Sequence, residues 1–505
     1  MKRMVNALGK LNWARHAYAA VVLCATPAIP MPGQTFTTVY GFDSTNGAHP
    51  QASLVQATNG NLYGTTYEGG AHNFGAIFTI TPGGTVTAPY SFCSQNDCVD
   101  GASPYAALVQ ATDGDLYGTT YMGGANACSP SPGCGTVFRI TLSGTLTTLY
   151  SFCSQSGCAD GEFPMAGLVQ ATNGDLYGTT SAGGANACPP NPGCGTVFKI
   201  TPSGTFTTLY SFCSQSGCAD GEFPLAGLVQ ATNGDLYGTT SQGGANGGGT
   251  VFKITASGTL TTLYPLCSQD ECFDGGLPYA AVVQTTNGDL YGTTGYGGAL
   301  GKGTVFKITP SKRFTTLYSF CSQSGCTDGD YPFAALVQAT DGNLFGTTNA
   351  GGANACPNPA GCGTVFKITP NGTLTTLYSL CSQSGCSDGE LPFAGLAQAT
   401  NGKLYGTAFS GGPNGDGTAF SLSVGLGPFV ETQTTSGRVG ASIKILGTDL
   451  TGAISVTFNG TAATFTVVSR YLITTTVPAG ATTGSVQVVT PSRTLQSNAP
   501  FRVLL

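Results

Sequence analysis

A thirteen-residue stretch recurs seven times along the chain and constrains its fold more than any other feature. The copy from Leu168 to Thr180 is typical. Its Leu-Tyr-Gly core (once Leu-Phe-Gly) begins at Leu62, Leu116, Leu176, Leu236, Leu290, Leu344 and Leu404. Successive starts are 54, 60, 60, 54, 54 and 60 residues apart. A fixed period of this size is typical of proteins built from repeated supersecondary units. We therefore expect seven equivalent structural units.

Each unit contains four strand-like segments separated by turn signals. In the third unit these segments are residues 166–172, 175–180, 196–200 and 206–212. Asn173-Gly174 lies between the first two, and Asn-Gly between apolar runs predicts a hairpin turn of type I′. Four antiparallel strands form one sheet, and seven such sheets indicate a β-propeller.

The two ends of the repeat region predict how the ring closes. Residues 35–42 match a fourth strand that has no preceding three, whereas the seventh unit ends near Ser423 without a fourth strand. The N-terminal strand is therefore expected to complete the last blade, which removes an exposed sheet edge. The predicted fold is all-β, with a seven-bladed β-propeller of four-stranded antiparallel blades over residues 34–424.

The beginning of the chain has the layout of a secretory signal peptide over residues 1–33. Four basic residues (Lys2, Arg3, Lys10 and Arg15) precede a short apolar run, 17–25, which is too short to span a bilayer. We expect an exported protein, either secreted or displayed on the cell surface, without a membrane span. With 18 Lys+Arg against 24 Asp+Glu, the chain also lacks the basic footprint of a nucleic-acid-binding protein.

Eighteen cysteines follow the leader and fall into nine close pairs. Six pairs have four intervening residues: Cys93/Cys98, Cys153/Cys158, Cys213/Cys218, Cys267/Cys272, Cys321/Cys326 and Cys381/Cys386. Three pairs have five: Cys128/Cys134, Cys188/Cys194 and Cys356/Cys362. Zinc would need four ligands converging on one site, but each pair stands alone in its loop or beside one other. Local disulfides in an oxidising compartment are the better interpretation.

The connectivity predicts where the variable chemistry lies. The second-to-third-strand loops and the blade-to-blade loops open on one face, together with all nine cysteine pairs, while the tight turns occupy the other. Every 60-residue step carries an extra cysteine-containing segment in one such loop, as a loop on a rigid scaffold tolerates. We expect the loop-rich face to be the working surface.

Repeated carboxylates on that face are the candidate ligand-binding residues. An Asp-Gly pair follows the cysteines at Asp100, Asp160, Asp220, Asp274, Asp328 and Asp388, and a second acid follows at Glu162, Glu222, Asp330 and Glu390. Clustered oxygens favour Ca²⁺, although no dense calcium-loop spacing is present and no cofactor is expected. The alternative is that each aspartate caps its own loop through neighbouring N–H groups.

Other repeated or isolated polar residues have simpler interpretations. Seven glutamines recur on the first strands (Gln56, Gln110, Gln170, Gln230, Gln284, Gln338 and Gln398), and we expect them to satisfy backbone groups between the inner strands. A basic row on the third strands (Arg139, Lys199, Lys253, Lys307 and Lys367) is expected to be solvated or paired across strands. Only His49 and His72 remain as histidines outside the leader, too few for a Ser-His-Asp triad or a histidine metal centre. Tyr121 and Tyr296 could stack on sugars.

Two family resemblances follow from these motifs. The unit with Gln-Ala-Thr-Asn-Gly-Asp-Leu-Tyr-Gly-Thr-Thr, Gly-Thr-Val-Phe-Lys-Ile-Thr-Pro-Ser-Gly-Thr and Thr-Thr-Leu-Tyr-Ser-Phe resembles the GloVer (Gloeo/Verruco) tandem repeat of choice-of-anchor exported bacterial proteins. After a linker at 425–428, residues 429–505 contain no cysteine and show short alternating strands, which indicate a β-sandwich. Gly440–Leu450 and Val486–Pro491 are similar to the IPT/TIG immunoglobulin-like domain, which implies a spacer or interaction module.

Three functional hypotheses remain open at this level. The leading one is a non-enzymatic binding protein, expected to be a monomer, that recognises an extracellular protein or glycan with the loop-rich face. The second is an extracellular carbohydrate-active hydrolase or lyase, which would use paired carboxylates. The third is a structural component of the cell envelope.

Overall fold

A computed structural model describes residues 34–128, 133–188, 193–356 and 361–504. The predicted signal peptide, 1–33, lies outside these residues. The described chain is all-β, and its helical content consists of short 3-10 turns. Seven of its sheets have four antiparallel strands and correspond to the seven repeats.

The strands follow the repeats. The first described strand is β1 (Gln34–Gly41). Blade 1 has β2 (Val55–Gln56), β3 (Leu62–Thr66), β4 (Ala76–Ile80) and β5 (Val86–Ser91). Blade 2 has β6 (Val109–Gln110), β7 (Leu116–Thr120), β8 (Thr136–Ile140) and β9 (Leu146–Ser151). Blade 3 has β10 (Val169–Gln170), β11 (Leu176–Thr180), β12 (Thr196–Ile200) and β13 (Phe206–Ser211). Blade 4 has β14 (Val229–Gln230), β15 (Leu236–Thr240), β16 (Thr250–Ile254) and β17 (Leu260–Pro265).

The remaining blades repeat the pattern. Blade 5 has β18 (Val283–Gln284), β19 (Leu290–Thr294), β20 (Thr304–Ile308) and β21 (Phe314–Ser319). Blade 6 has β22 (Val337–Gln338), β23 (Leu344–Thr348), β24 (Thr364–Ile368) and β25 (Leu374–Ser379). Blade 7 has β26 (Ala397–Gln398), β27 (Leu404–Ala408), β28 (Thr418–Val424) and β1. Six 3-10 turns lie in the blade-to-blade loops, at Asn96–Cys98, Ser156–Cys158, Ser216–Cys218, Asp270–Cys272, Ser324–Cys326 and Ser384–Cys386.

The predicted closure of the ring is confirmed. Strand β1 pairs antiparallel with β28, with Gln34 opposite Val424 and Gly41 opposite Thr418. The seam between blades 7 and 1 is also bridged, because the Thr400 amide donates to Gln56 Oε1 at 2.8 Å. The last blade therefore joins the two ends of the repeat region, with β1 as its outer strand covering the edge of β28.

Two rings of hydrogen bonds link all seven blades around the central channel. In the first ring, each inner-strand glutamine accepts from a threonine amide of the preceding blade at 2.8–3.1 Å, as the sequence predicted. In the second ring, the first threonine of each Thr-Thr pair (Ala408 replaces the second one in blade 7) donates to an alanine carbonyl of the next blade at 2.9–3.3 Å. The second ring is buried and the glutamines of the first ring are half-buried, so the geometry of both rings fixes the spacing between blades.

Two local predictions were wrong. The first strand of the third blade is only Val169–Gln170 rather than 166–172, because the carbonyls before it bond to the neighbouring blade instead of to a strand partner. The following turn is not type I′. Gly174 has φ +87°, Asn173 is not among the residues with positive φ, and Gly174 N bonds to Ala171 O. This is a three-residue connection in which the glycine alone supplies the left-handed position.

The hydrophobic core lies between the blades. In a typical cluster, Tyr117 and Phe152 of blade 2 pack with Leu176 and Phe198 of blade 3, all 0% exposed. Equivalent clusters join the other blades. Since each blade buries its faces only against its neighbours, the ring must close for the core to be complete.

The residues after the propeller form a separate β-sandwich. One sheet contains β29 (Glu431–Thr432), β31 (Ser442–Leu446), β35 (Leu472–Thr476) and β34 (Phe465–Ser469). The other contains β33 (Thr461–Ala463), β32 (Ser455–Phe458), β36 (Val486–Val489) and β37 (Thr494–Gln496). A parallel pair, β30 (Ser436–Arg438) and β38 (Arg502–Leu504), completes the immunoglobulin-like domain.

This domain sits on the turn face of the propeller, which we define as the face carrying the hairpin turns such as 57–61 and 111–115. Gln433 Nε2 donates to Ala111 O at 2.8 Å, and Lys444 Nζ donates to Thr112 O at 2.9 Å. The Thr400 and Thr448 hydroxyls lie 2.8 Å apart. The opposite face, which carries the disulfide loops, is called the loop face. The domain therefore covers one end of the channel and leaves the loop face uncovered.

Candidate functional site: the loop-face mouth of the channel

Seven equivalent side chains surround the loop-face end of the central channel. Each follows a proline, and the set is Gln51, Tyr105, Met165, Leu225, Tyr279, Phe333 and Phe393. Around them the repeat is nearly constant, with an alanine as the next residue in every blade. Six of the seven side chains are large and apolar or aromatic, but they differ from blade to blade. We call this set the mouth ring.

The loops hold the mouth ring through a strained backbone and close proline packing. The residue before each proline has φ between +51° and +57°, including Phe163 and Tyr331. For bulky residues this left-handed conformation is costly, and the surrounding structure must enforce it. Gly135 of the preceding loop allows the contact, since a Cβ there would lie 2.6 Å from Pro164 Cδ. The side chain after the proline is thereby aimed at the channel.

The mouth ring and the alanines below it enclose a cavity of about 500 Å³. On one side an aromatic arc is continuous. Ring centroids lie 4.9 Å apart for Tyr279 and Phe333, 6.2 Å for Phe333 and Phe393, and 5.4 Å for Phe393 and Phe409. His49 stacks on Phe409 at 4.6 Å. A cavity of this size with apolar walls and few polar groups is the usual form of a small-molecule site.

The surface around blade 5 extends this apolar character onto the rim. Phe273, Tyr279, Tyr296 and Leu300 are 42%, 38%, 49% and 59% exposed. In the other short-loop units, the positions equivalent to Leu300 are His72, Asn246 and Asn414. The rim is therefore asymmetric, which the repeat alone does not require. Tyr121, the other predicted sugar-stacking residue, instead packs against Phe163 at 5.2 Å.

The six aspartates predicted as ligand-binding residues lie inside their own loops. Each is 0% exposed. In the loop of Asp160, Oδ2 accepts from Tyr150 Oη (2.8 Å), Ser154 N (2.9 Å) and Ser154 Oγ (3.0 Å), and Oδ1 accepts from Gln155 N (3.1 Å). Burial, together with this carboxylate, raises the pKa of Tyr150 to about 12. The loop-capping alternative matches these contacts, and ligand binding by the aspartates stays a prediction without a supporting contact.

The same arrangement recurs at Asp100, Asp220, Asp274, Asp328 and Asp388, each with the matching tyrosine and serine donors. Within the described ranges, the groups of three or more side chains with metal-ligating atoms close together all combine cysteines with one glutamate, and none contains these aspartates. The six carboxylates are therefore not brought together. Calcium binding by them also stays a prediction.

All nine predicted cysteine pairs are joined as disulfides. In three places two disulfides meet one of the predicted second acids, namely Glu162, Glu222 or Glu390. Burial raises the pKa of Glu162, which is 4% exposed. Where the extra cysteine segment is missing, the equivalent position holds Ala48, Ala102 or Gly276, or the Asp330 described next. The glutamate thus accompanies the second disulfide.

Asp330 has a cation where the glutamates of the other loops have the second disulfide. Lys302 occupies the position of Cys134 in blade 2, and its Nζ lies 3.2 Å from Asp330 Oδ2 and 3.0 Å from Tyr331 Oη. Asp330 is 2% exposed, and burial raises the pKa of its carboxyl. Because the pair is closed off from solvent on the carboxylate side, we assign it to the packing of the loop.

The remaining polar candidates are accounted for by local contacts. Cross-strand pairs hold much of the basic row: Arg139 with Asp115, Lys199 with Asp175, Lys253 with Asp235 and Lys307 with Asp289, at 2.9–3.9 Å. His49 Nδ1 lies 3.0 Å from Phe409 O, and its Nε2 lies 3.9 Å from Glu68. His72 is exposed. The mouth ring was missed at the sequence level, although aligning the residue after each proline exposes it.

The fold and the mouth define a class of protein: a closed seven-bladed propeller with an open channel mouth on one face and an immunoglobulin-like domain on the other. The model described as the Gloeobacter/Verrucomicrobia repeat matches residues 28–219, 127–357, 191–420 and 266–464, and the IPT/TIG domain matches 428–503. The chain therefore belongs to the Gloeobacter/Verrucomicrobia repeat family and ends in an IPT/TIG domain, as the resemblances implied.

Three solved structures illustrate the similarity of the backbone course. A fungal alcohol oxidase of the AA5 family in complex with copper has 13% identity and a TM-score of 0.48, covering 94% of this chain and 99% of that chain. A putative gluconolactonase has 11% identity and a TM-score of 0.39, covering 80% of this chain and 94% of that chain. A putative 6-phosphogluconolactonase from Bacteroides uniformis has 15% identity and a TM-score of 0.43, covering 69% of this chain and 88% of that chain. At these TM-scores the likenesses carry no argument about function.

Two further comparisons complete this description. No curated protein matches the chain. Within the part of the chain that the structure describes, there is no helix whose length and apolar character would let it cross a membrane.

Proposed function

We propose that the protein is a non-enzymatic extracellular binding protein whose ligand enters the loop-face mouth of the propeller channel. The observation that carries this proposal is the mouth ring. At one position per blade, the repeat departs from uniformity toward large apolar side chains that surround a 500 Å³ cavity. Packing between equivalent blades does not require such variation, since the core positions beside it stay nearly identical.

The extracellular setting is supported by the nine disulfides, because such bonds persist in oxidising compartments. Six lie in blade-to-blade loops that carry the mouth ring, and three lie in the adjacent second-to-third-strand loops. Cys134 O, for example, accepts from Phe163 N two residues before Met165. The disulfides therefore stiffen the rim of the site, and a stiff rim lowers the entropy lost on binding.

The chemistry of the mouth favours an apolar or aromatic ligand over a sugar. Its wall offers polar side-chain groups at Gln51, Ser53 and the two tyrosine hydroxyls, while the rest is aromatic, aliphatic or alanine. Discrimination among sugars needs many paired hydrogen bonds, whereas burial of apolar surface needs only shape. The carboxylates Glu162 and Asp330 of the blade-to-blade loops are buried, which favours binding over hydrolysis.

The proposal is tested with N-phenylnaphthylamine, a neutral aromatic probe that fluoresces in apolar surroundings. We expect saturable binding to the purified protein. Phe333→Asp and Leu225→Asp place a charge in the wall at half-buried positions and should weaken binding at least about tenfold. Val468→Asp is the matched control, because Val468 is 56% exposed on the immunoglobulin-like domain.

The outcomes separate the functional hypotheses. Loss of binding in both mouth variants with an unchanged control supports the mouth site. Absence of saturable binding in the wild-type protein, or an equal loss in Val468→Asp, refutes it. Turnover of a polysaccharide by the purified protein would instead favour the hydrolase or lyase hypothesis.

A further inference from the structure

The channel has a second compartment at its closed end. Below the mouth, consecutive residues of the same inner strands line a cavity of about 410 Å³ between the propeller and the immunoglobulin-like domain. In blade 2 the mouth cavity reaches Leu108, and the second cavity begins at Val109 and Gln110. We call this second cavity the chamber.

The level two residues below the mouth ring, which we call the neck, forms the floor of the mouth cavity and carries no large side chain. The residue two positions after the mouth ring is small in every blade: Ser53, Ala107, Gly167, Gly227, Ala281, Ala335 and Gly395. A Cβ on Gly167 would lie 2.8 Å from Ala107 O, so backbone packs closely around this level. An unbranched chain is the ligand shape that such a neck accepts.

Glu431 provides a negative charge in the chamber. It belongs to β29 of the immunoglobulin-like domain, where it pairs with Leu446. It lies between the two domains, and its side chain faces the open space of the chamber. It is the one residue with a formal charge among the described residues lining the mouth cavity or the chamber. Among those residues, no hydrogen-bond donor or basic group partners its carboxylate.

The other polar groups of the chamber are mostly engaged. Gln110 Nε2 donates to Gly114 O at 2.8 Å, and its Oε1 accepts from Thr58 N. Gln433 Nε2 donates to Ala111 O. Lys444, on the neighbouring strand, donates to Thr112 O and does not line the chamber. An enclosed carboxylate without a partner is unfavourable, and a cation that enters the chamber would relieve it.

We infer that the channel binds an unbranched aliphatic ammonium ion, with the ammonium group at Glu431 and the chain running through the neck toward the mouth ring. The inference rests on the proposed function, because the chain would occupy the same mouth site. Five residues separate the mouth ring from the glutamine ring along the chain, which corresponds to at most about 17 Å at 3.3 Å per residue. The alkyl chain of decylammonium covers most of that distance.

The test compares hexyl-, octyl- and decylammonium with the neutral alcohols of equal length, by calorimetry below micelle formation. Each added methylene should tighten binding about fourfold as apolar surface is buried. The ammonium ions should bind at least about tenfold more tightly than the alcohols, as a charge-assisted hydrogen bond provides. Glu431→Gln should reduce that preference to about one.

Glu68→Gln is the matched control, because Glu68 is a carboxylate on the exposed loop-face rim. Retention of the ammonium preference in Glu431→Gln, or its loss in Glu68→Gln, overturns the inference. Equal affinity of the wild-type protein for the ammonium ions and the alcohols also overturns it. These results are distinguishable from failure of the mouth site, because N-phenylnaphthylamine binding and its loss in Phe333→Asp do not depend on Glu431.

Discussion

Replacing Asp160 with asparagine should destabilise the protein measurably, although the change is nearly isosteric. The carboxylate accepts four hydrogen bonds inside its loop, from one hydroxyl of Tyr150, two groups of Ser154 and the amide of Gln155. Asparagine keeps one acceptor oxygen and turns an NH₂ group toward a remaining donor. Hydrogen bonds to a charged group contribute roughly 1.5–3 kcal/mol, and a buried unsatisfied donor costs about 1–3 kcal/mol.

We therefore expect Asp160→Asn to lower the free energy of unfolding by about 2–4 kcal/mol. With an unfolding entropy of about 2.1 cal/mol/K per residue, the roughly 470 residues that follow the predicted signal peptide lose about 1 °C of Tm per kcal/mol, hence about 2–4 °C. Hydrogen exchange should accelerate at the amides of Ser154 and Gln155. Asp175→Asn is the control, because Asp175 is a part-exposed partner of Lys199 at 3.6 Å, and its loss should cost below about 1 kcal/mol.

The reasoning fails if Asp160→Asn matches the wild-type protein in both Tm and hydrogen exchange. If the variant is as stable as wild type but loses N-phenylnaphthylamine binding, Asp160 is a ligand-binding residue rather than a residue that stabilises its loop. That result would restore the ligand-binding role that the sequence predicted.

Three further predictions concern stability. Lys302→Ala leaves the carboxylate of Asp330 buried without its cation, and it should lower the free energy of unfolding by about 3–5 kcal/mol in chemical denaturation. The control Lys253→Ala, at a part-exposed pair, should lower it by less than about 1 kcal/mol. Equal losses would contradict the assignment of the Lys302–Asp330 pair to loop packing. Lys312 has φ +65° where five other blades have glycine. Lys312→Gly should therefore raise the free energy of unfolding by about 1 kcal/mol. An equal gain in Lys312→Ala would argue against backbone strain as the cause. Burial raises the pKa of Glu431 above its ordinary 4.5, so the native state holds its proton to higher pH and wild-type stability falls as pH rises through that window. Glu431→Gln should therefore raise Tm at pH 7 but not below pH 4.5, and a gain of the same size at both pH values would refute this origin.

Repetition explains why so much of the fold could be predicted. Seven copies of one pattern specify seven equivalent packing sites, and the unmatched strand at 34–41 specifies the closure that β1 and β28 make. The glutamines were correctly interpreted because an amide at an inner strand needs backbone partners on both sides. The turn type at Asn173-Gly174 failed because Asn-Gly also suits a connection in which only the glycine has positive φ.

The candidate site was harder to predict because its residues are defined by position rather than by chemistry. Tyr105, Met165 and Phe393 share no residue type, and only the preceding proline marks them. Asp160 was predicted as a ligand-binding residue because it is charged and repeated. The groups that donate hydrogen bonds to it lie in a turn whose geometry the sequence does not reveal. Glu431 could not be placed at all, because its environment arises where two domains meet.

The most direct test of the central claim uses a tryptophan introduced at the mouth. Trp13 is the sole tryptophan of the chain, so protein without residues 1–33 carries one reporter in Phe333→Trp and one in Val468→Trp. Excited-state energy transfer to bound N-phenylnaphthylamine falls steeply with distance. If the ligand sits in the mouth, transfer from the Phe333→Trp protein is saturable and clearly stronger than transfer from the Val468→Trp protein. Equal transfer, or stronger transfer from Val468→Trp, would contradict a binding site at the mouth of the channel.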